Sequence, residues 1–511
     1  ASISIDNITA DNVVNATESG QSISVSGQTG GNVQAGDAVT VTVGNETYQT
    51  TVNADGNSWS VNVPGSVLAG SSAVNATVTT ADAAGNTTTA NASHGYAVDT
   101  TAPDASISID NITADNVVNA TESGQSISVS GQTGGNVQAG DAVTVTVGNE
   151  TYQTTVNGDG SSWSVNVPGS VLAGNSSVTA TVTTTDAAGN TTTANASHDY
   201  GVDTTAPEAS ITIDPITADN VVNATESGQT ISVTGKVGGD VQTGDTVTVT
   251  VGGQTYPATV TTDADGGKNW NVNVPGSVLA GNGSVTATVT TTDAAGNTTT
   301  ADANRGYSVD TVAPEASITI DNITADNVVN AAESGQSISV TGQTGGNVQP
   351  GDTVTVTVGN ETYQTTVNGD GTSWSVNVPG SVLAGNGSVT ATVTTTDAAG
   401  NTTTADANRG YSVDTVAPEA SITIDNITAD NVVNATESDQ TISVTGQTGG
   451  NVQAGDNVTV TVGNETYQTT VNADGNSWSV NVPGSVLAGN GSVTATVTTA
   501  DAAGNTTTAN T

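Results

Sequence analysis

The string "ASISID" at Ala1 returns at Ala105, and "ASITID" follows at Ala209, Ala316 and Ala420, at intervals of 104, 104, 107 and 104 residues. A period this long exceeds the roughly 20–50 residues of a solenoid repeat and matches one independently folding domain. The chain therefore divides into 1–104, 105–208, 209–315, 316–419 and 420–511, the last stopping short of the closing "GYAVDTTAP"-type stretch. The third copy carries its extra residues in "TTDADGGKNW", where the first has "TVNADGNSW", so the insertion falls in a loop. Beginning at Ala1 without Met and ending in mid-pattern at Thr511, the chain reads as a piece of something longer.

Each copy reads as all-β. In the first, Ile3/Ile5, Ile23/Val25, Val39/Val41/Val43, Tyr48/Thr50/Val52, Trp59/Val61/Val63, Val74/Ala76/Val78 and Tyr96/Val98 recur at period two, with polar residues between them. That alternation belongs to strands with one wet face, and Thr, Val and Ile suit strands. Turn chemistry separates the runs: "TGGNVQAGD", "VGNET", "NADGNS", "VPGSVLAG" and "DAAGN". Seven strands in about 100 residues around one Trp give an immunoglobulin-like (Greek-key) β-sandwich, and five in tandem give an extended rod. The Trp lies on the fifth run and the chain has no Cys, which excludes a true antibody-type domain.

The 48 acids face only four bases, Lys236, Lys268, Arg305 and Arg409, for a net charge of −44. Nucleic acid and anionic membrane both require the opposite sign. A hydrophobic content of 34% in alternating patterns argues against the disorder that such charge can signal. No apolar run approaches the roughly 18 residues of a membrane span, and no Cys is present for thiolate chemistry.

Alternating strand direction sorts the loops to two poles. Asp37, Asp55 and Asp82 fall at the N-terminal pole; Asp6, Asp11 and Glu18 fall at the C-terminal pole near Asp99. At the first junction, Asp6, Asp11, Glu18 and Asp99 are then expected to face Asp141, Asp159 and Asp186, with Asp104 on the connector. Within the roughly 8 Å Debye length these carboxylates repel unless a cation holds them. Ca²⁺ suits an all-oxygen supply, taking six to eight ligands at flexible geometry. The segment "DNITADNVVNATE" offers Asp6, Asp11, Asn12, Asn15 and Glu18 within 13 residues. The candidate metal ligands are these and their repeats: Asp110, Asp115, Glu122, Asp214, Asp219, Glu226, Asp321, Asp326, Glu333, Asp425, Asp430 and Glu437, with Asp141 and Asp245 at the N-terminal pole. Duplication alone would also preserve such acids in a solvated loop.

"DAAGN", at Asp82, Asp186, Asp293, Asp397 and Asp501, is either a ligand or a turn in which Asp caps and Gly supplies positive φ. "NADGNS" spaces Asn53, Asp55 and Asn57 like the start of an EF-hand loop, but lacks its closing Glu and reads rather as an Asp-Gly hairpin; Asp263 and Asp265 form a somewhat fuller version. His94 and His198 are replaced by Arg305 and Arg409 in later copies, which marks an exposed strand position rather than an imidazole ligand. The N-x-S/T triplets follow from an Asn- and Thr-rich composition. No nucleophile–base pair or phosphate loop recurs, so the chain is not read as an enzyme.

The approximately 100-residue period, "ITADNVVNATESG", "VTTTDAAGNTTT" and the joint "VDTTAP" or "VDTVAP" resemble the bacterial Ig-like extender repeats of giant repeats-in-toxin (RTX) adhesins, in particular those of ice-binding and biofilm adhesins of marine bacteria. The resemblance spans all five copies. It implies type I secretion to the bacterial cell surface and a stalk that projects a ligand-binding tip. It also implies Ca²⁺ at the joints, with Asp99, Asp203, Asp310 and Asp414 as connector ligands. The expected role is a Ca²⁺-stiffened spacer partnered by flanking domains of the same polypeptide and forming no stable oligomer. The competing reading is a module whose domains grip a carbohydrate or receptor, which would require an exposed aromatic or apolar patch. Only 3% of residues are aromatic.

Overall fold

The computed structural model describes residues 1–511. In the first copy the strands are β1 (Ser2–Ile3), β2 (Val13–Val14), β3 (Ser22–Gly30), β4 (Ala38–Val43), β5 (Glu46–Thr51), β6 (Ser58–Pro64), β7 (Ala73–Ala81), β8 (Thr87–Gly95) and β9 (Ala97–Val98). Two short helices interrupt them, α1 (Ala16–Ser19) and α2 (Gly65–Ala69). β1-β3-β6 form one antiparallel sheet and β5-β4-β7-β8 the other. A separate ladder pairs β2 with β9 in parallel, Val13 opposite Ala97 and Val14 opposite Val98. The other copies repeat this plan; the third adds a short edge strand, Thr261–Thr262, paired with Lys268–Asn269, and in the fifth the counterpart of β2 forms no strand and the sequence stops before the counterpart of β9.

Alternation decides which face is buried. In β4, Val39, Val41 and Val43 are at most 1% exposed while Thr40 and Thr42 look outward. Gly44, at φ +56°, turns the chain straight into β5, a backbone angle that costs glycine nothing. Trp59 sits fully buried on β6 opposite Gly27 of β3, and its Nε1 donates to the Ser4 carbonyl at 3.2 Å. Glycine is required there, because a Cβ at Gly27 would meet the Ser4 carbonyl and the indole. Five separate hydrophobic clusters result, one per copy, each with its own Trp. No Trp remains exposed to form a binding patch.

Tyr96 locks the closing strand: its ring is 7% exposed and its hydroxyl donates to the Leu68 carbonyl at 2.7 Å. Burial pushes the equivalent Tyr200 and Tyr411 hydroxyls up to about 12. His94 is half-buried rather than exposed, its Nε2 lying 2.8 Å from Asn12 Oδ1; Arg409 reaches the side chain of Asn322 from the equivalent strand position. No helix is long and apolar enough to cross a membrane.

Candidate functional site: the joints between domains

The chain enters each domain at one pole and leaves at the other, so consecutive domains meet end to end. The "DAAGN" loop provides the tip. Asp186 Oδ1 accepts from the Ala188 and Asn190 amides at 2.9 Å, and its Oδ2 accepts from Asn190 Nδ2 at 2.9 Å. These bonds, the Asn190 side chain first, hold the Asp186 carboxyl below its ordinary value of 3.8. The same lowering recurs at Asp82, Asp293, Asp397 and Asp501.

The socket comes from the preceding domain. "NATE" forms a capping box: the Glu18 amide donates to Asn15 Oδ1 at 2.9 Å and Glu18 Oε2 accepts from the Asn15 amide at 3.0 Å. Capping leaves the Ala16 amide free, since the first amides of a helix have no partner inside it. That amide donates across the joint to Asn190 Oδ1 at 2.7 Å, and Asn190 Nδ2 donates to the Asp99 carbonyl at 2.8 Å. Both amide hydrogens and the oxygen of Asn190 are thus used. Asn297, Asn401 and Asn505 accept from Ala120, Ala224 and Ala331 at 2.7 Å. They donate to the carbonyls of Asp203, Asp310 and Asp414 at 2.8, 2.9 and 2.8 Å.

The first domain serves as an internal control. Its loop makes the same Asp82 bonds, yet Ala84 and Asn86 are exposed, having no docked neighbour among residues 1–511. In the other four copies the equivalent Asn is only 3–4% exposed. Docking, not loop folding, buries it.

A cleft opens beside each of the first three joints. At the first, of about 290 Å³, the lining includes Asp99, Thr101, Pro103, Asn136, Gln138 and Asp186. Asp203 with Asp293, and Asp310 with Asp397, line clefts of about 440 and 460 Å³. No basic residue lines any of them. Asp99 Oδ1 accepts from the Thr101 amide at 3.1 Å, and the Asp104 amide donates to Asn136 Oδ1 at 2.9 Å.

The broader expected convergence of carboxylates does not form: nowhere do three acidic or imidazole side chains come close enough to hold an ion by themselves. Asp6 is not at the pole. It pairs with Ser26 in the middle of β3, and its Oδ2 accepts from the Ser26 hydroxyl at 2.9 Å; Asp110, Asp214, Asp321 and Asp425 repeat this with Ser130, Thr234, Thr341 and Thr445. Asp11 Oδ1 closes a local turn, accepting from the Val13 amide at 3.0 Å and the Thr9 hydroxyl at 2.9 Å, as do Asp115, Asp219, Asp326 and Asp430 in theirs. Asn12 adopts φ +61° and its Oδ1 accepts from the Ile8 amide, so its oxygen is occupied within its own domain. Glu18, Glu122, Glu226, Glu333 and Glu437 cap their helices. Asp141 and Asp245 each accept from a turn amide, of Gln138 and Gln242. Asp159 likewise binds Ser161 and Ser162 in its own hairpin. Reading acids alone missed the asparagine that bridges the domains. The signal was available: Asn closes all five "DAAGN" loops, and N-x-x-E is capping-box spacing.

Acid should loosen this tip. A carboxyl lowered in the folded state stabilises it above the unfolded value near 3.8, and that contribution is lost as pH falls through the folded value. Carboxyl NMR titration should place the Asp186 midpoint below 3.8, with Ala16 amide protection lost in step; a midpoint at or above 3.8 contradicts this.

No family model and no curated protein matches the chain. Among solved structures, a Ca²⁺-stabilised adhesin with which an Antarctic bacterium reaches out and binds ice is 43% identical, over 81% of this chain and 99% of that one, with a TM-score of 0.69. A structure bearing on host-cell-surface retention of a 1.5-MDa bacterial ice-binding adhesin is 39% identical over 61% of this chain and 98% of that one, with a TM-score of 0.45. A single bacterial immunoglobulin-like domain of the M. primoryensis ice-binding adhesin is 43% identical over 21% of this chain and 99% of that one, with a TM-score of 0.19. The extensive match to the first, an adhesin rather than an enzyme, joins the repeated sandwich and its keyed joints: the chain belongs to the family of bacterial immunoglobulin-like extender domains of large ice-binding adhesins.

Proposed function

We propose that this chain is a stalk segment of a secreted bacterial surface adhesin, a non-catalytic spacer that holds a distal ligand-binding region away from the cell. The domains are taken as 1–104, 105–208, 209–315, 316–419 and 420–511, the partners as flanking domains of the same polypeptide, and the route as type I secretion. The observation that carries the reading is the recurrence of the same asparagine-mediated bonds at all four joints. One step repeated between opposite poles generates a regular rod.

The joint clefts suit Ca²⁺ by their chemistry: two carboxylates from different domains, neutral amide and carbonyl oxygens, and no nitrogen base. Bound Ca²⁺ would supply the positive charge that the joint lacks. Asp99 and Asp186 would hold it at the first joint, with Asp203 and Asp293, Asp310 and Asp397, and Asp414 and Asp501 at the others. Asp99 lies on the connector and Asp186 on the docked tip, so holding both resists bending between domains. Asn190 sets the position of the two domains, and its bonds need no ion.

The variant carrying Asp99→Asn, Asp203→Asn, Asp310→Asn and Asp414→Asn tests this ligand set. It should keep the fold but lose most of the calcium-dependent rise in melting temperature, with affinity down about tenfold or more per joint, on the order of 1.4 kcal/mol. An undiminished calcium response would remove the connector aspartates from the site.

A further inference from the structure

Six N-x-S/T triplets occur in the second domain, at Asn111, Asn119, Asn149, Asn175, Asn190 and Asn195. Composition accounts for their number, and the fold separates them. Five are committed or confined. In the first, the Thr113 hydroxyl donates to Asp115 Oδ1 and to the Val117 carbonyl, both at 2.9 Å. Asn119 accepts from the Glu122 amide at 3.0 Å as a helix cap, and Asn175 Nδ2 donates to the Val171 carbonyl at 2.8 Å. Asn190 is buried in the joint. Asn195 lies within the strand Thr191–Asp199, paired opposite Thr181, where the ladder keeps the backbone from protruding.

Asn149-Glu150-Thr151 is different. It sits at the tip of the hairpin between Ala142–Val147 and Glu150–Thr155, with Val147 opposite Glu150, so that Gly148 and Asn149 are the whole loop. Gly148 at φ +58°, followed by an asparagine outside the positive-φ region, makes the tight two-residue turn that suits the twist of a hairpin. Asn149, Glu150 and Thr151 are all exposed, and neither the Asn149 amide nor the Thr151 hydroxyl makes a hydrogen bond. The same triplet stands exposed at the same tip at Asn45, Asn360 and Asn464. In the third domain the tip is Gly252-Gly253, with Gly253 at φ +83°, and the acceptor is missing. Beside Asn149 opens a groove of about 600 Å³ lined by Thr146, Asn175, Ser176, Ser177 and Thr179, with no charged residue among its walls. Hydroxyls and an amide, each able to donate and accept, suit the hydroxyls of a sugar.

We propose that Asn45, Asn149, Asn360 and Asn464 are acceptors of N-linked glycosylation, each taking a hexose from a donor in which the sugar is activated by a diphosphate. In the transfer Asn149 Nδ2 attacks the anomeric carbon. A C–N bond forms and the C–O bond to the diphosphate breaks, the diphosphate leaving as an anion while the amide proton passes to a carboxylate of the transferase. The Thr151 hydroxyl is the group that the transferase recognises two residues on. A sugar on this protruding turn leaves every bond of the fold in place, whereas one on Asn119 or Asn190 would break a helix cap or a joint.

The test is peptide mapping by electron-transfer mass spectrometry of the whole protein recovered from the cells that make it. Hexose should appear on the four hairpin asparagines and be absent from the Gly252-Gly253 tip, Asn119 and Asn190. Thr151→Val should lower occupancy at Asn149 on the order of a hundredfold, because the recognised hydroxyl is gone, and leave the other three tips modified. Asn149→Gln should abolish it there. Both changes fall on exposed residues without hydrogen bonds, so the domain stays folded. Incubating the unmodified chain with fractions of the same cells identifies the donor: incorporation with the soluble fraction indicates a nucleotide-linked sugar, incorporation with the membrane fraction a lipid-linked one. Bare tips on the native protein would overturn the proposal, as would sugar on the capping or joint asparagines instead, or occupancy unchanged by Thr151→Val.

Discussion

Replacing Asn190, Asn297, Asn401 and Asn505 by Asp should release all four joints while leaving the five sandwiches folded. At present the Asn190 amide donates to the Asp99 carbonyl at 2.8 Å and to the Asp186 carboxylate at 2.9 Å. An aspartate would set a carboxylate oxygen against both acceptors at a site only 3% exposed. Leaving a buried charge unpaired costs about 3–5 kcal/mol. Water entering as the joint opens limits the loss to about 2–4 kcal/mol per joint, enough to make the undocked geometry dominate. The folds should survive, because the first domain already exposes the same loop without a partner. Small-angle scattering should show a shorter, broader distance distribution, and calorimetry should show domain melting within a few degrees of the parent. Scattering superimposable on the parent would mean that the asparagines do not hold the joints.

The second large effect lies inside a domain. Gly131→Ala should destabilise the second domain by about 3 kcal/mol, out of the roughly 5–15 kcal/mol that such a domain commands. The new Cβ would run into the Ser108 carbonyl and the Trp163 indole. Neither can step aside, because the Ser108 carbonyl accepts from Trp163 Nε1 at 3.2 Å and the indole is 1% exposed. For a domain of about 100 residues this corresponds to a melting shift of roughly 10–20 °C. Calorimetry should resolve one early transition out of five. A single unshifted transition would show that the strand gives way without cost.

What the sequence made legible was set by local periodicity. Alternating Val and Thr, as in Val39–Thr40–Val41–Thr42–Val43, can bury only one face, so the sandwich follows from reading pairs of residues. The joint could be read only in part. Asp99 and Asp186 were named for it, and the structure lines one cleft with both. Asp6 was assigned to the pole by counting loops. That count cannot see that the first strand leaves β3 partway along and crosses to pair with the closing strand at Val13–Val14. Asn190 stayed hidden for a different reason: in isolation "DAAGN" is satisfied as a turn, and its amide finds a second use only when the next domain is placed. The sequence reads "VPGSVLAG" as turn chemistry and the segment ending in "NATE" as a ligand-bearing or solvated loop, whereas each contains a short helix, that of "NATE" announced by the capping-box spacing of Asn15 and Glu18.

The central claim is that keyed joints are stiffened by calcium. Its most direct test is small-angle X-ray scattering of the 511-residue chain, titrated with Ca²⁺ against a chelator and with Mg²⁺ as control. At about 35–45 Å per domain, the calcium form should reach a maximum dimension on the order of 200 Å with a rod-like distance distribution. The chelated form should scatter as a more bent ensemble that Mg²⁺ does not straighten. A profile unchanged by calcium would contradict the account and leave the joint carboxylates as surface charge on a passive spacer.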